Sequence, residues 1–176
     1  MFSMTFRYVT RRLVIRRMYP DDWKDLYAYL SDPDTVRYEP YQPYTREEAQ
    51  LEAANRANCE EFLAVCLLTN GRMIGNLYLS RQNDGDKQGN AYELGYIFNR
   101  RYRGKNYAFE SCDAMMKLLW KDPETSKILA ECDARNARSR HLMERLGMQL
   151  EETFLGEDYT GADKQALHCR YSCVRN

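Results

Sequence analysis

The segment Asn99-Arg100-Arg101-Tyr102-Arg103-Gly104-Lys105-Asn106-Tyr107-Ala108-Phe109 gathers positive charge around a glycine, just ahead of an apolar periodic run. If that run is a helix, its first backbone N–H groups have no internal acceptor, and the macrodipole adds partial positive charge there. Such a start binds anions, phosphates above all. Gly104 and Ala108 are small enough for a phosphate to approach the backbone, and Arg101, Arg103 and Lys105 add charge. A charge-assisted hydrogen bond contributes about 1.5–3 kcal/mol, so a few would hold a pyrophosphate. A solvated basic turn is the plain alternative. The G-x-x-x-x-G-K-S/T of a nucleotide P-loop is absent.

A second polar cluster, Asn136-Ala137-Arg138-Ser139-Arg140-His141-Leu142-Met143-Glu144-Arg145-Leu146-Gly147-Met148, follows one strand later. Asn136 or Ser139 can cap a short helix, with Leu142 and Leu146 inward and Gly147 closing it. Six cysteines are spread through the chain with no C-x-x-C pair, and the chain holds only two histidines. Four of those cysteines fall in apolar runs, which reads as buried free thiols rather than a zinc site or disulfide scaffold. No metal site is expected.

The elements that must position these groups alternate at ordinary spacing. Leu13–Met18 reads as a strand and Asp21–Leu30 as a helix, with Trp23, Leu26, Tyr27 and Leu30 on one stripe. Ser31-Asp32-Pro33 stops it. The tyrosine- and proline-rich loop 36–44 follows, then a capping box at Thr45 and Glu48 opens a helix to about Asn58. Phe62–Leu68 and Met73–Ser80 read as strands joined at Asn70-Gly71. After a polar loop at Asp84–Gly89, Ala91–Phe98 is a strand, and the basic turn leads into a helix to Trp120 with Ala108, Cys112, Met115 and Leu119 on its stripe. Lys127–Ala134 is a strand and Ser139–Leu146 a helix, and Met148–Leu155 and Ala166–Val174 read as the last strands. This order implies an α+β (mixed α/β) fold, a mixed and mostly antiparallel sheet of about seven strands with helices on both faces.

The 176 residues suit a single domain with one real core. Lys plus Arg and Asp plus Glu number 26 each, which argues against a chain held by bulk charge on nucleic acid or anionic lipid. No apolar run is long enough for a membrane helix, and the basic N-terminal residues lack the apolar core of a secretory signal. A cytoplasmic location is expected. Whether two copies pair as a homodimer stays open.

The two polar clusters in this order resemble the GNAT superfamily of N-acetyltransferases, and within it the branch of ribosomal-protein N-terminal alanine and serine acetyltransferases. That family's Q/R-x-x-G-x-G/A turn reads here Arg103-Gly104-Lys105-Asn106-Tyr107-Ala108. The branch's N-x-x-S-x-x-L-x-x-x-G-F reads here as Asn136, Ser139, Leu142, Gly147 and Met148. The strand Tyr92–Phe98 matches the family's fourth strand, and the resemblance runs from about Leu13 to Val174. It implies that Arg103, Gly104, Lys105, Asn106, Tyr107, Ala108 and Phe109 cradle the coenzyme A pyrophosphate. It implies further that Ile97, Phe98 and Asn99 meet the pantetheine arm through backbone groups, that Asn136 bonds the cofactor chain, and that Ser139 lies near the thioester sulfur or the lower cofactor. Two positions depart from the pattern. Asn106 replaces a usual glycine, and Met143 replaces a tyrosine that protonates the leaving thiolate in many relatives. Ser139, water or the thiolate itself must then serve.

The expected reaction is direct attack of a neutral amine on acetyl-coenzyme A, the acceptor being a protein N-terminus or a small amine. Freeing an α-amine of its proton at pH 7 costs about 1 kcal/mol, against about 4.6 for a lysine amine. A carboxylate acting through water suffices for the first. The resemblance offers Glu93, beside the expected acetyl position, and Glu157, in a stretch where the branch places an acceptor-side carboxylate. It also places Tyr38, Tyr41 and Tyr44 in the loop that covers the acceptor. A coenzyme A-binding module without catalysis is the alternative, kept open by Asn106 and Met143.

Overall fold

The computed structural model describes residues 2–82 and 90–175, so the polar loop expected at Asp84–Gly89 lies outside the described residues. In chain order the elements are β1 (Arg7–Val9), β2 (Leu13–Arg17), α1 (Trp23–Leu30), α2 (Pro33–Val36), α3 (Arg46–Asn58), β3 (Phe62–Leu67), β4 (Met73–Gln82), β5 (Asn90–Phe98), α4 (Tyr107–Leu119), β6 (Thr125–Asp133), α5 (Ala137–Arg145), β7 (Gln149–Glu157) and β8 (Gln165–Val174). Single 3-10 turns, Pro20–Asp22 and Arg100–Tyr102, precede α1 and the α4 turn.

The strands form one eight-stranded sheet in the order β1-β2-β3-β4-β5-β6-β8-β7. Every pair is antiparallel except β5 with β6. The sheet has one strand more than the pattern predicts. β1 is three residues long with both ends exposed, too short for an alternation to register, and it exists because β2 offers it an edge at Arg7↔Arg16. Asp32-Pro33 ends α1 but also starts α2. The Asp32 carboxyl accepts from the Asp34 N–H at 3.3 Å and from the Thr35 hydroxyl at 2.8 Å, and proline suits the first helical turn.

Both faces of the sheet are covered. Leu13 and Ile15 point to the face packed by Cys112, Met115 and Met116 of α4 and Met143 of α5. Val14, between them, points to the opposite face, where Leu26, Tyr29 and Leu30 of α1 and Ala53 of α3 pack. The period of two along β2 divides the core in this way. α3 starts as its capping box predicts. Glu48 N–H reaches Thr45 Oγ1 at 3.2 Å and Thr45 N–H reaches Glu48 Oε2 at 2.7 Å. No helix among the described residues is long and apolar enough to cross a membrane.

Candidate active site

The parallel pairing of β5 with β6 covers only Asn90 to Glu93 against Thr125 to Leu129. Beyond that point β5 stays bonded to β4 as far as Phe98, and β6 to β8 as far as Asp133. The two strands therefore part after Glu93. Along Leu94 to Phe98 the backbone groups on the β6 side of β5 have no strand partner among the described residues. Gly75 on β4 sets the surface here: a Cβ on it would lie 2.5 Å from the Ile97 carbonyl and from the Phe98 ring. Only glycine lets Phe98 lie over that backbone.

A cavity of about 820 Å³ fills the split. At one end stands the start of α4. Asn106 is its N-cap with φ 61° and ψ 18°, the only non-glycine residue with positive φ among the described residues. Gly104 also has positive φ, at 74°, with open space before it. The left-handed backbone that the family pattern fills with glycine is thus filled here by asparagine, the residue that best tolerates it after glycine. Glu110 N–H is the first to find a helical acceptor, Asn106 O at 3.0 Å, so the N–H groups of Tyr107, Ala108 and Phe109 are left for a ligand.

The same end is cationic. Arg103, Arg138 and Arg145 line it with His141. Arg145 lies over the Phe109 ring at 4.7 Å and donates to Asn106 Oδ1 at 3.1 Å. Partial desolvation, then the neighbouring guanidinium of Arg138, pushes the exposed Arg103 below its ordinary pKa, partly countered by Asp32. Cations packed closely enough to depress one another form a place for an anion with more than one charge.

Midway, Asn136 and Ser139 reach the cavity from the start of α5. Asn136 Oδ1 accepts from Ser139 N–H at 3.2 Å, so it is the cap and its amide NH₂ remains free to meet a ligand. Ser139 Oγ is 2.8 Å from the hydroxyl of Tyr96, which also donates to the Ser139 carbonyl at 3.1 Å. Burial raises the Tyr96 phenol well above its ordinary pKa, so it stays a neutral donor. Cys132 lines the cavity too, but burial pushes its thiol up to about 11.

Glu93, Tyr38, Glu39, Tyr41 and Arg56 also line the cavity. Burial raises Glu93 above the usual carboxylate range, as does Glu131 beside it, while Arg170 lowers it. Gln82 donates to Glu93 Oε2 at 2.9 Å. Of the other residues singled out from sequence, Ile97, Phe98 and Ala108 line the cavity, whereas Asn99, Lys105, Tyr44 and Glu157 do not. Asn99 is buried and caps the 3-10 turn by accepting from Arg101 N–H at 3.0 Å. Lys105 is exposed, near the Tyr102 ring. Tyr44 packs on Tyr41 at 5.1 Å. Glu157 is exposed at the end of β7, and its carbonyl accepts from His168 Nε2 at 2.9 Å. The residues after it do reach the site. Asp158 is buried and bound by Arg135 at 2.6 Å, and this fixes Tyr159 at the cavity edge. Sequence reasoning assigned no role to Tyr96, Arg138, Arg145, Arg56 or Glu39. Arg138 and Arg145 lie inside the second polar cluster, the one signal that could have pointed to them.

The sheet split at its parallel pair and the cationic helix start at its mouth belong, by the family match that follows, to an acetyl-coenzyme A-dependent acyltransferase. The family model for the acetyltransferase (GNAT) domain matches residues 12–149, and the chain belongs to the GNAT family. It is 31% identical over 146 residues to the uncharacterized N-acetyltransferase YnaD of Bacillus subtilis (strain 168), covering 82% of this chain and 84% of that one. Its structure resembles that of a GNAT-family acetyltransferase from Bacillus anthracis, with a TM-score of 0.83 at 25% identity over 96% of this chain and 98% of the other. It shares the fold of the ribosomal-protein-S5-alanine acetyltransferase from Vibrio fischeri, with a TM-score of 0.77 at 17% identity over 97% of each chain.

Proposed function

We propose that this acetyltransferase moves the acetyl group of acetyl-coenzyme A onto a primary amine, of a peptide N-terminus or a small molecule, by direct attack. The observation that carries the reading is the polarity of the cavity. Arg103, Arg138 and Arg145 gather at the start of α4 and suit a pyrophosphate, and Glu93, where β5 parts from β6, brings in a carboxyl suited to an ammonium. Bound acetyl-coenzyme A would supply a thioester carbonyl. Arg103, Arg138 and the N–H groups opening α4 hold the pyrophosphate. The free edge of Leu94 to Phe98 takes the pantetheine, as its amides would a β-strand. Asn136 bonds the arm, and Ser139 with Tyr96 lies toward the sulfur. The protonated Cys132 thiol supports direct attack over an acyl-enzyme, because the thiolate is the nucleophile. Glu93, of the two carboxylates anticipated from sequence, is the one that lines the cavity, where it attracts the acceptor's charge.

Thiol release in a screen of N-terminal peptides, lysine-type amines and small amines tests the reading. A chain that binds coenzyme A yet turns over no amine would be a binding module instead. The cofactor half is tested apart. Acetyl-coenzyme A is expected to raise Tm, since a ligand bound only by the folded state stabilises it. Arg103→Glu should cut that shift to a small fraction while leaving the free protein's Tm unchanged, because Arg103 is exposed.

Asn106→Gly should bind coenzyme A equally well or better. Glycine adopts φ near 61° without strain, and only the exposed bond from Arg145 is lost. Calorimetry showing a tenfold weaker Kd would mean that the Asn106 side chain is itself a ligand.

A further inference from the structure

The loop between α2 and α3 brings a carboxyl group into the cavity that the reading above does not use. Glu39 lines the wall with Tyr38 and Tyr41, and its N–H is fixed to the Val36 carbonyl at 2.9 Å. Tyr41 and Arg56 lie close enough to its carboxyl to favour the charged form, and Arg56 also faces the Tyr41 phenol. Arg56 is itself buried, bound through Nε to Glu52 at 2.6 Å and through Nη1 to Asn76 Oδ1 at 3.2 Å. The Tyr29 hydroxyl holds the same Asn76 oxygen at 2.8 Å. The network is anchored in the core at one end and opens on the cavity at the other. Glu39 and Tyr96 line the same cavity.

We propose that Glu39 is the group that takes the proton from the attacking amine, a role that rests on the acetyl transfer to an amine proposed above. The neighbouring carboxylates are less suited. Glu93 is engaged by Gln82 and lies in the field of Glu131 and Arg170, and Glu157 lies outside the cavity. Burial raises Glu39 to about 7, while Arg56 and Tyr41 pull the other way. A carboxylate held there can take a proton and return it near neutral pH. The charged and titratable groups that act on it are Tyr41 on its own loop, Arg56 on α3 with Glu52 behind it, and Tyr96 on β5, and Tyr78 on β4 and Glu93 on β5 line the same cavity. In the step, the amine nitrogen bonds the acetyl carbon and the carbon–sulfur bond breaks. The acceptor enters as an ammonium: its first proton passes to Glu39 and on to solvent before the attack, and the second, acidified once the nitrogen has bonded carbon, is lost to water. The sulfur leaves as a thiolate and is protonated from water.

The test is the pH profile of kcat/KM for the intact chain, with acetyl-coenzyme A and a lysine-type amine of pKa about 10.4 from the screen. The wild type should climb and then level near pH 7 as Glu39 ionises. Glu39→Gln should fall by about 10²–10⁴-fold at pH 7 and climb steadily through pH 9, following the free amine. Glu39→Asp should restore the levelling. Unchanged coenzyme A affinity in Glu39→Gln shows that the variant is folded. A second readout needs no turnover. A carboxyl raised in the folded state makes folding weaken as pH rises from about 4.5 to 7, and Glu39→Gln should remove that part of the slope. A Glu39→Gln profile that still levels near pH 7 overturns the proposal. If Glu93→Gln alone abolishes the levelling, Glu93 is the base. No turnover of any amine by the wild type overturns the reading of the reaction, and this proposal with it.

Discussion

Tyr96→Phe is expected to lower kcat by about 10²–10³-fold, the effect of removing one donor to developing charge, with the Tyr96 O–H turning from the Ser139 carbonyl to the sulfur as charge builds there, while coenzyme A affinity stays within a factor of two or so. The reason is placement. The family resemblance leads one to expect a tyrosine meeting the leaving thiolate at position 143, and this chain has a buried methionine there. Tyr96 brings a hydroxyl to the same cavity from a different element, β5, and Ser139 holds it at 2.8 Å. Its raised pKa means that it remains protonated through the alkaline range. Its loss should therefore scale the rate at every pH without adding or removing a limb. That separates it from Glu39, whose loss changes the shape of the profile. Thiol release at saturating cofactor and amine measures the effect. Tyr96→Phe with full kcat would show that the thiolate leaves unassisted, with Tyr96 serving only to place Ser139.

Arg56→Ala should be the most destabilising single change in the acceptor half, costing about 3–5 kcal/mol, as breaking a buried charged pair does. Arg56 is 4 % exposed, lies over the Phe62 ring at 4.4 Å, and holds Glu52 and Asn76 together. Two features pull the loss toward the lower figure. Glu52 is a quarter exposed and can turn to water, and Asn76 keeps its bond from Tyr29. Each kcal/mol shifts Tm by about 2–4 °C in a domain of this size, so calorimetry should show a fall on the order of 6–12 °C. Arg56→Met keeps much of the packing on Phe62 and should lose less. An Arg56→Ala protein melting within a degree of wild type would mean that the network adds no net stability. The surviving protein should also hold the Glu39 proton more tightly, because Arg56 favours its charged form.

The amino-acid sequence by itself determined what depends on neighbours in the chain. The capping box at Thr45, the basic turn before α4 and the left-handed position at Asn106 are local matters of propensity and backbone sterics, and each is legible in a few consecutive residues. The alternation of apolar residues fixed seven of the strands and the two packed faces. β1 escaped because a three-residue edge strand is held by its partner and not by its own pattern. Only the tertiary structure decided the rest. The parting of β5 from β6 after Glu93 depends on where β8 pairs, far along the chain. The meeting of Tyr96 with Ser139 spans 43 residues, and that of Arg56 with Asn76 spans 20. A carboxylate such as Glu39 looks like any other acidic residue until its surroundings are known. Its chemistry comes from the dielectric and the charges around it, and folding alone assembles those.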